Sequence, residues 1–246
     1  MGYEKQMTKH PLERGYPNLA YISKNLPRTK SILKKFILSN FKKPDLFSLA
    51  KICLKELGVY KFKNYENTIR KLAEICSRNV YYNSYHDQHH IKTVVIISCI
   101  LAKKMQLKYR DKVLLIIIAL THDMNHQGRR VLQKIPYYQE KKSCKDLERI
   151  LFKKILCHKQ IKRIRKIFQS TYFPVKPQKV SDNLEKIVLD ADILASLMFG
   201  PSVGMKLAGR LKQEIRYEND TELLFTNFLK LLGDKCLYLD YSKNSC

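Results

Sequence analysis

Glycine, acidic residues and long apolar runs are all scarce in this chain, and each shortage excludes a class of protein. Only 8 of its 246 residues are glycine, too few for the tight turns of a hairpin-rich β fold. No alternating apolar–polar run of useful length compensates. The longest apolar stretches, Val94–Ala102 and Val113–Leu120, are under half of the about 20 residues that span a bilayer. They are expected to be buried core helices, with no membrane span. The N-terminus lacks a continuous apolar segment, so no signal peptide is expected. The 7 cysteines are odd in number and scattered, without a CxxC pair, which argues against a zinc knuckle or a disulfide framework. A soluble protein of a reducing, cytoplasmic compartment is the expectation.

Acidic residues are outnumbered by 47 Lys+Arg to 22 Asp+Glu, a net charge of +25. Such a field attracts anions: nucleotides, phosphorylated metabolites, nucleic acid or acidic lipid. A chain this rich in Lys, Ile, Tyr and Asn is also what an AT-rich genome produces unaided. The basic run Lys159–Lys166 carries Ile161 and Ile164 at amphipathic spacing, which makes its lysines and arginines a solvated helix face. No recognisable nucleic-acid motif accompanies the charge. The expected partner is an anionic small molecule, foremost a nucleotide; nucleic acid has the charge in its favour but no motif.

What the chain has in quantity is helical periodicity. Ile32, Leu33 and Phe36 open one segment, Leu46, Leu49, Ile52, Cys53 and Leu57 a second, and Ile69, Leu72, Ile75 and Cys76 a third, each at i, i+3, i+4 spacing. The length suits one domain with a sizeable core. The pattern predicts an all-α, single-domain bundle of eight to ten helices over residues 29–246. Residues 1–28, with their prolines and mixed charges, are expected to form an extended arm or a short helical prelude.

Five of the seven histidines fall in two short stretches, Tyr85-His86-Asp87-Gln88-His89-His90 and His122-Asp123-Met124-Asn125-His126-Gln127-Gly128. Imidazole is a common neutral metal ligand and titrates near physiological pH. A helix from Gln88 to Met105 places His90, Val94, Ile97 and Leu101 on one inward stripe, with His86 a turn earlier on the same line. His89 points off that line, to the surface or to a supporting position, and His158 reads as structural. Val113–Leu120 is apolar all round and therefore central, so His122 and Asp123 emerge at the end of a core helix. Asp182 and Glu185 resemble a capping box opening a helix over Leu184–Leu197, which carries Asp190 and Asp192. Both flank the stripe Leu184, Ile187, Val188, Ala191 at nearly equal angles, so periodicity does not choose between them. Amphipathic helices follow around Met205–Ile215 and Leu223–Leu232.

A His-Asp pair alone carries little information. The order His…His, then HDxxHxG, then an aspartate helix about 70 residues on resembles the HD superfamily of metal-dependent phosphohydrolases. The fuller pattern of Tyr85–His90 with His122–Gly128 is similar to its cyclic-nucleotide phosphodiesterase branch. Leu189-Asp190-Ala191-Asp192-Ile193-Leu194 resembles the closing aspartate segment, and Glu140-Lys141-Lys142-Ser143 the ExxS segment of small bacterial members. The resemblance covers residues 80–200.

The resemblance implies an HD-type bundle with a metal site between its central helices. His90, His122, Asp123 and, by the family's Ala-Asp-apolar pattern, Asp192 would hold a first metal, Zn²⁺ or Mn²⁺/Fe²⁺. Asp123 would bridge to a second, Mg²⁺ or Mn²⁺. The implied chemistry is attack by a metal-activated bridging hydroxide on a cyclic nucleotide, opening a 3′,5′-ring to a 5′-monophosphate. His86 would protonate the departing oxygen. His126, Asp87 and Glu140 would support the site or order second-metal water, and Tyr85 would line the pocket. Asp87 stands where the branch has Asn and is expected to raise the pKa of His86. Arg129 and Arg130 are candidates for gripping phosphate. No counterpart of the branch's C-terminal Gln-x-x-Phe segment is recognisable. The alternatives are an HD-type phosphohydrolase of nucleotides or other phosphorylated metabolites, and a non-catalytic nucleotide-binding module.

Overall fold

Two helices without a polar face organise the molecule. In α5 (Gln88–Ala102) every residue from His89 to Ala102 is buried, and in α6 (Tyr109–Thr121) every residue from Val113 to Thr121. A helix that is apolar all round must be enclosed by its neighbours. Around α5 stand α3 (Leu46–Glu56), α6 and α9 (Asn183–Leu197), and α4 (Lys63–Ser77) closes on α3 and α6. The pair α7 (Tyr138–Leu151) and α8 (His158–Ser170) flanks this core, with α8 against α9. On the other side α10 (Pro201–Ile215) leans on α9 and α11 (Thr221–Leu232) on α10. The computed structural model describes residues 19–26, 28–39, 45–61, 63–78, 83–128, 135–151, 157–172, 180–233 and 237–244, and no strand occurs among them.

The fold is the expected all-α bundle. Twelve helices are described rather than eight to ten; the extra two are short, α1 (Leu19–Asn25) and α12 (Asp240–Lys243), with α2 (Lys30–Ser39) completing the set. Part of the expected N-terminal arm is therefore core: Leu19 and Ile22 are buried, and α1 rests on α5 and α3. Residues 1–18 lie outside the described residues. Ile161 and Ile164 are buried on α8 while Lys159 and Lys162 are exposed, as the amphipathic pattern predicts. No single described helix is long and apolar enough to cross a membrane.

Scarce carboxylates are spent at helix starts. Asp45, Asp87, Asp182 and Asp220 are N-caps whose side chains accept from the first-turn amides of α3, α5, α9 and α11, satisfying donors that have no partner inside the helix. Arg163 on α8 donates to both oxygens of Asp182 and, at 2.6 Å, to Asp111. It thus ties α8 to the starts of α6 and α9. Glu185, expected to complete a capping box with Asp182, instead turns inward: it accepts from Ser170 at 2.6 Å and pairs with Lys166 at 2.9 Å. At the far end of α9, Gly200 adopts φ +89° and Pro201 starts α10, the preferred place for proline. The two helices meet at 99°, which swings α10 across the mouth of the histidine cluster.

Candidate metal centre

The site begins at the cap of α5. Asp87 accepts from the backbone amides of His89 and His90, at 2.8 and 3.0 Å, and so fixes the first turn that carries His90. His122 sits at the C-terminal end of α6, where its Nδ1 donates to the carbonyl of Ala119 at 3.0 Å. That bond sets the tautomer and leaves Nε2 as the available ligand atom. Asp123 follows directly, and Asp192 arrives from α9.

Four ligand atoms converge. His90 Nε2 stands 3.3 Å from His122 Nε2, 3.3 Å from Asp123 Oδ2 and 3.1 Å from Asp192 Oδ1. His122 Nε2 is 3.1 Å from Asp123 Oδ2 and 3.7 Å from Asp192 Oδ1. Donors about 2.0–2.1 Å from a tetrahedral zinc stand about 3.3–3.4 Å apart. His90, His122 and Asp192 form a group that could hold one borderline divalent cation, with Asp123 Oδ2 within 3.3 Å of both imidazoles. The electrostatics agree. Burial disfavours charge on His122, yet Asp123 and then Asp192 outweigh it and raise the imidazole pKa. Against its own burial, Asp123 is held well below the usual carboxylate range by His122 and His86. Such a field favours a cation in place of these protons.

A second group, His86, His126 and Glu214, also brings three potential ligands together, but its spacing is different. His86 Nδ1 lies 2.6 Å from Glu214 Oε1, too close for two ligands of one ion and right for a charge-assisted hydrogen bond. The side chain of Glu214 is 1 % exposed and also accepts from the amides of Tyr85 and His86, at 2.7 and 3.0 Å. Burial works against a charged His86, but Asp123 and Glu214 prevail and raise its pKa. The charge that acts on the proposed acid is therefore not that of Asp87, whose carboxylate is occupied as a helix cap. His126 stacks on His86 with centroids 3.8 Å apart. Burial and the neighbouring His86 push its pKa down to about 3, and its Nδ1 accepts from the amide of Gly128 at 3.1 Å.

The loop from His122 to Gly128 is held from two sides. From α7, Ser143 donates to the carbonyl of Met124 at 2.9 Å, and Asp146 accepts from Asn125 at 2.8 Å. From the other side Asn83 donates to the carbonyls of His126 and His86, at 2.8 and 3.3 Å. Gly128 is required twice over: its φ is +54°, and a Cβ there would lie 2.7 Å from Asn83 Oδ1 and 3.3 Å from Glu214 Cγ.

A cavity of about 560 Å³ opens over the cluster. Tyr85, His86, Asp123, His126 and Asp192 form its floor, and Leu207, Leu211, Phe225, Asn227 and Phe228 from α10 and α11 form the facing wall. The Tyr85 hydroxyl is hydrogen-bonded to Ser196 at 2.6 Å. Gly204 lets α11 close in, since a Cβ there would meet the Phe225 ring at 2.6 Å. Glu140 also lines the cavity; its buried Oε2 has no hydrogen-bond partner among the described residues, and burial chiefly raises its pKa to about 7.

Of the residues singled out from sequence, His86, His90, His122, Asp123, His126, Asp192, Tyr85 and Glu140 gather at this one place. Asp190 faces away and accepts from the amides of Tyr238 and Leu239. Arg129 and Arg130 lie outside the described residues. His89 is buried beneath α10 rather than on the surface, and burial followed by the nearby Arg210 lowers its pKa to about 4. Sequence reasoning missed Glu214 and Asn83. Glu214 lies eleven residues past the buried Val203, about three full turns of helix, so a carboxylate on an apolar stripe was its signal. Asn83, in an irregular segment, had none. No protein-family model matches the chain, and neither a curated protein nor a solved structure matches it.

Proposed function

We propose that the protein is a metal-dependent phosphodiesterase that opens a 3′,5′-cyclic nucleotide to its 5′-monophosphate. The observation that carries this reading is the approach of Asp123 and Asp192, which line a ligand-sized cavity, to the buried imidazoles of His90 and His122 at 3.1–3.7 Å, the imidazoles standing 3.3 Å apart. These four residues would hold the first metal, with Asp123 shared with a second. Bound there, divalent metals would acidify a coordinated water and neutralise the phosphoryl oxygens.

The chain's own residues then have separable tasks. Glu214 accepts a hydrogen bond from the Nδ1–H of His86 and balances its positive charge, which leaves the Nε2–H to deliver its proton to the departing ester oxygen. The stacked His126, neutral at physiological pH, restricts rotation of the His86 ring. Tyr85, braced by Ser196, closes the floor beside His90. Leu207, Leu211, Phe225 and Phe228 shield the organic part of the substrate from water, and Asn227 offers a polar contact on that wall.

The test combines metal analysis with a substrate panel followed by phosphorus NMR: cyclic mononucleotides, cyclic dinucleotides, nucleoside triphosphates and guanosine polyphosphates. Stoichiometric Mn²⁺ or Zn²⁺ and cleavage of a cyclic mononucleotide are expected. Asp123→Ala should lose both metal and activity. His86→Ala should keep its metal and lose about 10²–10⁴-fold in turnover; loss of metal there would mean that acid and ligand have been interchanged. Substoichiometric metal in the wild type, or cleavage of noncyclic substrates alone, would overturn the reading.

A further inference from the structure

Asp190 is 0 % exposed, yet it sits in the middle of an apolar helix, two residues before Asp192. Its Oδ1 accepts from the amide of Tyr238 at 2.8 Å and its Oδ2 from the amide of Leu239 at 2.9 Å. Both oxygens are therefore engaged by main chain from the segment Leu237–Asn244, nearly fifty residues downstream. An apolar residue could bury the same segment without burying a carboxylate. Two hydrogen bonds from fixed amides add what apolar contact lacks, a defined angle.

We propose that the segment Leu237–Asn244 is a latch that positions Asp192 for metal binding by setting the rotation of α9 through Asp190. The proposal rests on the metal-centre reading above. At about 100° per residue, positions two apart project to nearly opposite sides of a helix. Asp190 is held from behind while Asp192 presents its Oδ1 3.1 Å from His90 Nε2. A carboxylate oxygen lies about 6 Å from the helix axis, so a rotation of about 10° moves it by about 1 Å. That displacement exceeds the about 0.5 Å tolerance of a working constellation. The latch also reaches the other ligand helix. Leu237, Leu239 and Tyr241 pack on the core, and Lys104, just beyond α5, places its Nζ 5.1 Å over the Tyr241 ring. The segment thus links the helices that supply His90 and Asp192. Without it, Asp190 is a buried carboxylate stripped of its two amide donors, and α9 must turn or admit water to satisfy it.

The experiment measures Mn²⁺ affinity by electron paramagnetic resonance of the free ion, with circular dichroism confirming the helical fold. Asp190→Ala in the full chain, and a chain ending at residue 236, should each bind Mn²⁺ about 10–100-fold more weakly than wild type, the usual penalty for losing a residue that orients a ligand. The control is Glu185→Gln. Glu185 is equally buried on the same helix but is bonded to Ser170 and Lys166, away from the latch. It should lower thermal stability and leave Mn²⁺ affinity within twofold. Wild-type affinity in Asp190→Ala or in the shortened chain, or an equal loss in Glu185→Gln, would overturn the latch. Absence of Mn²⁺ binding in the wild type itself would instead overturn the metal centre, and the latch with it.

Discussion

Glu214→Gln keeps the shape of a side chain and removes its charge at the point where that charge acts on His86. The wild-type carboxylate accepts three hydrogen bonds, at 2.7 Å from the Tyr85 amide, 3.0 Å from the His86 amide and 2.6 Å from His86 Nδ1. The amide that replaces it can accept on one atom only, and it cannot balance an imidazolium. A hydrogen bond to a charged group contributes about 1.5–3 kcal/mol, and one pH unit corresponds to about 1.4 kcal/mol. The sign follows from the direction of each perturbation. His86 is raised, so its proton-donating form persists above the ordinary histidine range and activity falls as pH rises through that raised value. Removing Glu214 should move this alkaline limb to lower pH by about 1–2 units. Glu214 itself is held down to about 2, His86 outweighing the effect of burial. Its share of stability is therefore present above the unfolded glutamate pKa and is lost as pH falls from about 4.5 toward 2. Both shifts describe one interaction, so it is counted once, at about 2 kcal/mol near neutrality. For a chain of this size that is about 4–8 °C in Tm. The assay is a pH–rate profile at saturating Mn²⁺, paired with an NMR titration of the His86 ring, which needs no substrate. An alkaline limb that superimposes on the wild type, or moves upward, would refute the coupling.

Other perturbations test the frame around the site. Gly128→Ala forces a side chain into φ +54° and against Asn83 and Glu214; calorimetry should show a loss of about 2–3 kcal/mol, and a Tm within 1 °C of wild type would contradict the close approach. Arg163→Leu leaves Asp111 and Asp182 facing each other without the cation they share. Denaturant titration should give a loss of about 2 kcal/mol with Mn²⁺ affinity unchanged, and a weakened metal site there would show that the α8–α9 tie reaches Asp192.

The features legible in the sequence were those carried by short-range spacing. The apolar run Val94–Ala102 and the all-round apolar character of Val113–Leu120 marked α5 and α6 as core helices, although α5 is buried on every side and not only along the expected stripe. His86 and His90 lie four residues apart and His122 and Asp123 are adjacent, so short-range connectivity brings each pair close, although His86 precedes the extended N-cap Asp87 and does not stand on the expected helical stripe. Glycine at position 128 belonged to the same local pattern, although its reasons, a left-handed φ and the nearness of Asn83 and Glu214, are tertiary.

Other assignments depended on partners far away in the chain. Asp190 and Asp192 flank the same stripe at nearly equal angles, and only their neighbours separate them. The latch amides claim Asp190, and His90 and His122 face Asp192. Asp87 was expected to charge the proposed acid, but the start of α5 needs its carboxylate, and Glu214 acts on His86 from 128 residues downstream. Glu185 left its capping role for Ser170 and Lys166 in the same way. Helical periodicity and ligand spacing are set by a few neighbouring residues, so the sequence alone determined the bundle and the core of the cluster. Which carboxylate meets which imidazole is decided by packing between distant segments, and only the tertiary structure could assign it.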